Sequence, residues 1–471
     1  LMDLLVCEPT QIKDTLKEQG VRFCFSGYVD LHGRLKGKIV PLSHFDQMVK
    51  GSELYTGAAL DGVPQEINDE EVSSHPDVTH GFVLPWNKEV AFFPSNLFNQ
   101  GKPFEACSRN ILTRQVERAA AAGFKMNLGV ETEFFVLRDE RFQVAQGERP
   151  LGVATGINGV NTVSDRDALD KPCYDLATAT DNFHWLIELV DAMDELGWDV
   201  YSFDHEDARS QFEIDFMYAD VLSMADRVAF FRYMANEIAR KHGYFASFMP
   251  KPFANMSGSG AHMNMSLEDA ATGKNLFQAK TPEEDVKGVG LTQLGIWFIG
   301  GILKHARALS LVIAPTVNSY KRLVRQGSMS GSTWAPVFVS YGNNNRTNML
   351  RVPLAANRVE CRATDISMNP YLASAFMLAA GLEGIENHID PGDPHRDNLH
   401  KYTAKDVERA GISLLPRNLE EACDAFEADP LAREVFGGAM FESYLSYKRR
   451  EWEEYAYAVT DWECERYLKF F

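Results

Sequence analysis

Apolar and polar positions along the 471 residues follow two periods, and the places where one gives way to the other mark the elements. Ile12 and Leu16 lie four apart on a short amphipathic helix over residues 9 to about 20, closed by Gly20. Val21 to Val40 reads as a hairpin turning at Leu31-His32-Gly33-Arg34, with Asp30 just before the turn. Residues 57 to 80 carry Asp61, Glu66, Asp69, Glu70, Glu71 and Asp77 without periodicity and predict an exposed acidic loop. Phe82 to Phe93 is strand-like again, and Gly101-Lys102-Pro103 punctuates a connection, so domains are expected over 1–107 and 108–471. Helices are predicted from Arg109 to Ala122, Asp181 to Leu196 and Asp220 to His242, each stopped by the glycine that follows. Two more are predicted over about 286–312 and from Tyr371 to Asn387. A loop-rich stretch fills 139–175, and the C-terminal part reads as helical, with caps at Asn418 and Asp429-Pro430.

Three segments alternate in a more specific way. Glu131 and Glu133 alternate with Val130, Thr132 and Phe134. His262, Asn264 and Ser266 alternate with Met263 and Met265, and Arg358, Glu360 and Arg362 with Val359 and Cys361. In the stretch from Asp204 to Phe216 the second half, which holds Glu213, alternates likewise, with Glu206 ahead of it. Strands with one polar and one apolar face can build a funnel whose lumen is charged and whose outside is packed.

Composition narrows the picture. Forty-seven Lys and Arg against 66 Asp and Glu give a net charge of −19, which argues against nucleic acid or an anionic membrane as partner. The apolar run Leu294 to Leu303 is too short to span a bilayer and predicts a buried helix. Seven scattered cysteines without a Cys-x-x-Cys pair, and a start lacking a basic, apolar leader, predict a reducing cytoplasmic setting.

Glu131, Glu133, Glu206, Glu213 and Glu360 with His262 form a mostly oxygen ligand set suited to magnesium or manganese. Five carboxylates around one lumen cannot all stay ionised without cations, which argues for two metal ions rather than one. Arg322, Arg346, Arg351, Arg358 and Arg362 supply guanidinium groups that match phosphate and carboxylate oxygens. Together they suggest phosphoryl transfer from a nucleotide to an anionic acceptor, and the sequence has no Walker-type loop.

An ordered series of motifs then resembles the glutamine synthetase superfamily from end to end. It runs through Val29-Asp30-Leu31-His32-Gly33-Arg34, Gly129-Val130-Glu131-Thr132-Glu133-Phe134-Phe135, His205-Glu206 and Gln211-Phe212-Glu213. It continues through Phe248-Met249-Pro250-Lys251-Pro252, Gly258-Ser259-Gly260-Ala261-His262, Asn318-Ser319-Tyr320-Lys321-Arg322, Asn345-Arg346 and Arg358-Val359-Glu360-Cys361-Arg362. The resemblance implies an α+β chain: an N-terminal β-grasp domain, and a catalytic domain whose antiparallel strands form a funnel surrounded by helices. It also implies a dodecamer of two stacked six-membered rings with active sites between subunits. Its reaction uses ATP, two to three Mg2+ or Mn2+ ions and L-glutamate, whose γ-carboxylate is phosphorylated before an amine displaces phosphate. By position, Glu133, Glu206 and Glu213 match ligands of one metal, and Glu131, His262 and Glu360 ligands of the other. Glu133, Gly258, Arg322, Arg346 and Arg362 match glutamate contacts, with Arg346 at the transferred phosphate. Asn264, Ser266, Arg351 and Arg358 match the nucleotide side, and Asp30 and Tyr174 the amine site, with Asp30 lent by a neighbouring subunit.

Several departures bear on the nucleophile and on control. The family's flap carries a glutamate in a Tyr-Glu-Ala-Pro context that helps bind ammonium. Here the run is Gly-Ser-Thr-Trp-Ala-Pro, and Trp334 offers apolar area and a π face instead. Ser257 replaces the usual asparagine before Gly258, with Asn255 as a substitute, and Asn264 replaces a histidine. His400 stands where adenylylated forms have tyrosine, which predicts that this control is absent, and the loop Ala59-Leu60-Asp61-Gly62-Val63 has lost the family's pattern. The leading expectation is a glutamate–amine ligase acting on an alkyl or aromatic amine, with Asp30, Glu206 and Arg346 catalytic and Trp334 in the amine site. The alternatives are an ordinary glutamine synthetase using ammonium and, remotely, a non-catalytic ring protein.

Overall fold

The computed structural model describes residues 9–138, 172–325 and 335–471. The loop-rich stretch expected from 139 lies mostly outside the described residues, as does Trp334. The first helix is Pro9–Glu18. The expected hairpin follows as β1 (Phe23–Val29) and β2 (Leu35–Pro41), in register from Phe23 opposite Pro41 to Val29 opposite Leu35. Its turn needs Gly33, whose φ is +75°. With β3 (Glu53–Tyr55), β4 (Val72–Pro76), β5 (Phe82–Leu84), β6 (Asn87–Asn99) and β7 (Lys102–Pro103) the hairpin forms a seven-stranded sheet ordered β2-β1-β6-β4-β3, with β5 and β7 on β6.

The acidic loop expected over 57–80 is therefore only partly a loop, because β4 runs through it and buries Val72 and Ser74. Its polar Ser-Ser-His sequence hid the strand. Ser74 is satisfied inside by the Ser26 hydroxyl at 2.7 Å, so a buried serine costs little there.

The helix Ser108–Ala121 opens the rest of the chain, and Gly123 ends it at φ +83°. The later strands are β8 (Phe124–Val130), β9 (Thr132–Arg138), β10 (Val200–His205), β11 (Gln211–Phe216), β12 (Ala219–Asp220), β13 (Tyr244–Ser247), β14 (Met263–Asp269), β15 (Phe338–Asn343), β16 (Asn348–Val352), β17 (Val359–Cys361) and β18 (Ser413–Leu414). They make a four-stranded antiparallel sheet, β10-β11-β9-β13, and a seven-stranded sheet, β12-β8-β14-β17-β16-β15-β18, with β15 and β16 parallel. The single strand expected through Glu131 is in fact two. The chain leaves one sheet at Val130 and enters the other at Thr132, and the amides of Glu131 and Glu133 donate to the carbonyls of His262 and Gly260.

Long helices back these sheets: Phe183–Glu195, Val221–Lys241, Gln293–Ile313 and Pro370–Glu386. The helix expected from 286 starts at Gln293, because Thr292 caps it and Gly288 and Gly290 ahead of it hold φ of +67° and +83°. The helix expected from Asp181 starts earlier, as Leu176–Asp181, and resumes at Phe183 after Asn182. Gln293–Ile313 is long and apolar enough to cross a membrane, yet 78% of its apolar window is buried inside the fold. It packs against Pro370–Glu386 through glycines: a Cβ on Gly301 would come within 1.9 Å of the Ala380 carbonyl oxygen. The caps at Asn418 and Asp429 form as expected, accepting from Glu421 and Leu431 amides at 2.9 Å.

Candidate active site

Cross-strand register gathers the acids. Glu133 on β9 lies opposite Glu213 on β11, and Glu213 lies opposite Asp204 on β10. Like charges directly opposite on one sheet face repel, so this row needs protons or cations. Ligand atoms of Glu133, Glu206 and Glu213 all lie within 4.8 Å of one another, and so do those of Glu131, His262 and Glu360. These are the two sets singled out in the sequence.

The electrostatics carry the mark of crowding. Burial, then Glu133, pushes Glu213 up to about 12 and Glu206 up to about 8. Asp215 rises to about 7 through burial and Glu131, and Asp204 to about 6 mainly through burial. Asp204 and Asp215 were not among the residues singled out in the sequence. Their signal was the same two-residue spacing, Asp204 to Glu206 and Glu213 to Asp215.

His262 stands between the two sets, its Nδ1 2.6 Å from Glu131 and 3.4 Å from Glu360, its Nε2 4.0 Å from Glu133. Burial alone would raise Glu131; the His262 imidazole overrides it and holds the carboxyl near 2. Glu360 is 1% exposed and takes Arg351 at 2.6 Å and Arg362 at 2.7 Å, while Val359 and Cys361 point into the core. Its strand has the two faces that the alternation predicted. Arg322 donates to the carbonyls of Ala363 and Arg362, both at 3.1 Å. Gly260 lets the backbone approach all of this: its amide donates to Glu133 at 2.7 Å, and a Cβ there would sit 2.8 Å from Arg322 and 3.0 Å from His262. At Gly258 a Cβ would meet the Pro250 carbonyl oxygen at 2.5 Å.

Among the residues matched to the nucleotide side, Arg358 donates to Asn264 at 2.9 Å, and Asn264 donates to Glu131 at 3.2 Å. Both residues, with Ser266 and Tyr218, line a cavity of about 340 Å³. Ser257 donates to Asp207, and Asn255 is exposed.

Three other expected residues sit in loops or turns. Arg346 lies exposed in the turn between β15 and β16. Tyr174 is 71% exposed at φ +65°, held by its amide on the His205 carbonyl beside Glu206. Asp30 is buried in the β1–β2 turn, where its Oδ1 accepts the amides of His32 and Arg34 at 2.9 Å.

Five carboxylates and one imidazole, crowded enough to drive carboxyl pKa values upward, are a donor set that fits hard divalent cations. The family model for the glutamine synthetase catalytic domain matches residues 105–467. A glutamate–methylamine ligase of Methyloversatilis universalis is 38% identical over 98% of this chain and all of its own length. A glutamine synthetase of Rhizobium leguminosarum is 37% identical over 96% of the chain and 98% of its own length. A solved GmaS–ADP complex superposes with a TM-score of 0.86 at 35% identity, covering 97% of this chain and 99% of its own.

Proposed function

The chain belongs to the glutamine synthetase family, and from that premise we propose that it is an ATP-dependent ligase joining L-glutamate to a small alkylamine of the methylamine class. The observation that carries this reading is the full-length match to a glutamate–methylamine ligase, combined with two intact acid clusters. Trp334 in place of a flap glutamate supports the substituted amine over bare ammonium.

A carboxylate acylates poorly until its oxygen becomes a leaving group, so the γ-carboxylate first takes the γ-phosphoryl of ATP. Nitrogen then attacks the carbonyl carbon of the γ-glutamyl phosphate, and phosphate leaves. In this reading Arg322, Arg362, Glu133 and Gly258 hold glutamate, and Arg351, Arg358, Asn264 and Ser266 hold the nucleotide. Arg346 meets the transferred phosphoryl group. Glu206 and Asp30 receive the amine's positive charge and its proton, with Tyr174 and Trp334 walling the site. Two to three divalent cations, Mg2+ or Mn2+, held by the acid clusters would offset the charge of carboxylates and phosphates.

Assembly follows the same reading: residues 1–107 form a β-grasp domain and 108–471 the catalytic domain, in a dodecamer of two six-membered rings. Exposed aromatics in the C-terminal segment (Tyr457 at 79%, Trp462 at 60%, Phe470 at 76%) support contacts between subunits. The described cysteines are all free, which supports a cytoplasmic setting. Native mass spectrometry should find twelve chains of 52.9 kDa each.

The deciding experiment is phosphate release with glutamate, ATP and ammonium, methylamine, longer alkylamines or aniline in turn. Methylamine or another alkylamine should give the highest kcat/KM. Ammonium matching the best amine would return the protein to the second reading, an ordinary glutamine synthetase, which the Rhizobium relative favours.

A further inference from the structure

The turn that carries Asp30 is anchored from outside its own sheet. Asp30 uses Oδ1 to close the turn on the amides of His32 and Arg34, leaving Oδ2 toward Lys36 at 3.9 Å. The Asp30 carbonyl accepts the Gly33 amide at 2.9 Å within the turn, and the carbonyls of Asp30, Leu31 and Gly33 receive further donors from two residues of the catalytic body. The Asn369 amide donates to the Asp30 carbonyl at 3.1 Å, the Leu31 carbonyl at 3.3 Å and the Ser108 hydroxyl at 2.8 Å. Arg232 donates one nitrogen to the Gly33 carbonyl and another to the Ile366 carbonyl, both at 3.2 Å.

A guanidinium spent on two carbonyls is an expensive way to fill space. Burial lowers its pKa to about 10, and its anionic neighbours, Asp30 and Asp365, offset only part of that. Nor is Gly33 replaceable here: a Cβ would lie 2.6 Å from Arg232 and 3.0 Å from the Asn369 backbone, at a φ of +75°. Room to move is available, since a cavity of about 770 Å³ bounded by Arg34, Arg232, Asn236 and Phe248 opens beside the turn. Without its two ties, the turn can shift into that space.

We infer that Arg232, Asn369 and Gly33 form a socket that fixes the position of the Asp30 carboxylate, making Arg232 and Asn369 positioning residues for amine capture. This rests on the assignment of Asp30 to the amine site. A displacement of about 1 Å in a positioned group can cost on the order of a hundredfold. Its effect should fall on the amine step alone, because Asn369 and Arg232 contact neither acid cluster through a hydrogen bond.

The test uses the full-length enzyme with two substitutions chosen to spare the scaffold. Asn369→Ser keeps an oxygen to cap the helix Pro370–Glu386, whose Tyr371 and Leu372 amides Asn369 now caps, but removes the amide that grips the turn. Arg232→Lys keeps the charge and loses the fork that bridges two carbonyls. For each, KM for methylamine should rise roughly tenfold or more while glutamate-dependent phosphate release without amine stays within about twofold of wild type. Unchanged KM for methylamine in both variants, or an equal fall in both steps, overturns the socket. Asp30→Asn is the control that separates the two ideas. If it leaves amine turnover intact, the Asp30 assignment fails; if it abolishes amine turnover while the socket variants behave as wild type, only the socket fails. Should either variant not assemble, the other is read alone.

Discussion

At the scale of single residues, the phosphoryl-transfer half of the site and its amine half have different anchors in the proposed reading. Glu133 touches both acid clusters: it faces Glu213 across the strands, sits 4.0 Å from His262 and takes the Gly260 amide. Glu133→Ala should therefore cost roughly a hundredfold or more in turnover with every amine, and weaken Mn2+ binding followed by electron paramagnetic resonance. Unchanged turnover would dissolve the whole site assignment. In the proposed reading Trp334 bears only on the nucleophile. Trp334→Glu replaces an indole face, worth about 0.5–2 kcal/mol to an alkylammonium, with an anion that suits the smaller ion. The ratio of kcat/KM for ammonium to that for methylamine should rise about tenfold. No change in that ratio would take Trp334 out of the amine site.

Between elements, the clearest device is the imidazole that ties three helices together. His305, 3% exposed on Gln293–Ile313, meets Asp429 at 2.6 Å through Nδ1 and Glu383 through Nε2. Asp429 caps Pro430–Phe436, and Glu383, on Pro370–Glu386, also takes Lys304 at 3.0 Å. Burial alone would lower the His305 pKa, but the two carboxylates outweigh it and raise it above the ordinary 6.5. A raised value means stability fully present below pH 6.5 and lost as pH climbs through the folded pKa. Glu383 has its pKa held below 4.5 by His305 and Lys304 against burial, so its share is present above pH 4.5 and lost as pH falls through its folded value. His305→Gln should lower stability by about 1.5–3 kcal/mol near pH 6, with the gap to wild type closing toward pH 9 in urea titrations. A gap independent of pH would deny the ring its charge. Nothing in the sequence announced this clamp, since its members lie 78 and 124 residues apart. Periodicity reported what each element does alone: the hairpin, the glycine stops, the caps, and the two faces of the strand with Glu360. It missed what pairing decides. The break at Glu131 exists because β8 and β9 belong to different sheets, and Asp204 becomes part of the acid row only through its register opposite Glu213. Strand β4 was hidden by polar residues whose partners come from β1 and β6.

Across the whole molecule, the first sheet and the catalytic body are joined by a buried arginine. Arg109, 3% exposed at the start of Ser108–Ala121, binds both oxygens of Asp226 on Val221–Lys241, at 3.0 and 2.9 Å. The same guanidinium reaches Asp77 at 2.9 Å, just past β4, and Asn96 at 2.5 Å on β6, while Tyr371 donates to Asp226 from Pro370–Glu386. One cation thus holds two carboxylates, with 9% of the Asp226 side chain and 24% of the Asp77 side chain exposed, and the neighbouring Asp30 turn depends on the same orientation of sheet against body. Breaking such a group from one side leaves uncompensated charge behind, so Arg109→Leu should cost about 3–5 kcal/mol in denaturant unfolding. Neutralising the acids as well, in Arg109→Leu/Asp77→Asn/Asp226→Asn, removes that penalty and should recover a large part of the loss, because a well-packed neutral cluster is often as stable as the ion pair it replaces. Recovery in the triple variant assigns the cost to stranded carboxylates. A triple variant as unstable as the single one would instead assign it to the hydrogen bonds that hold sheet and helices in register, and a single variant within about 1 kcal/mol of wild type would remove Arg109 as the link between them.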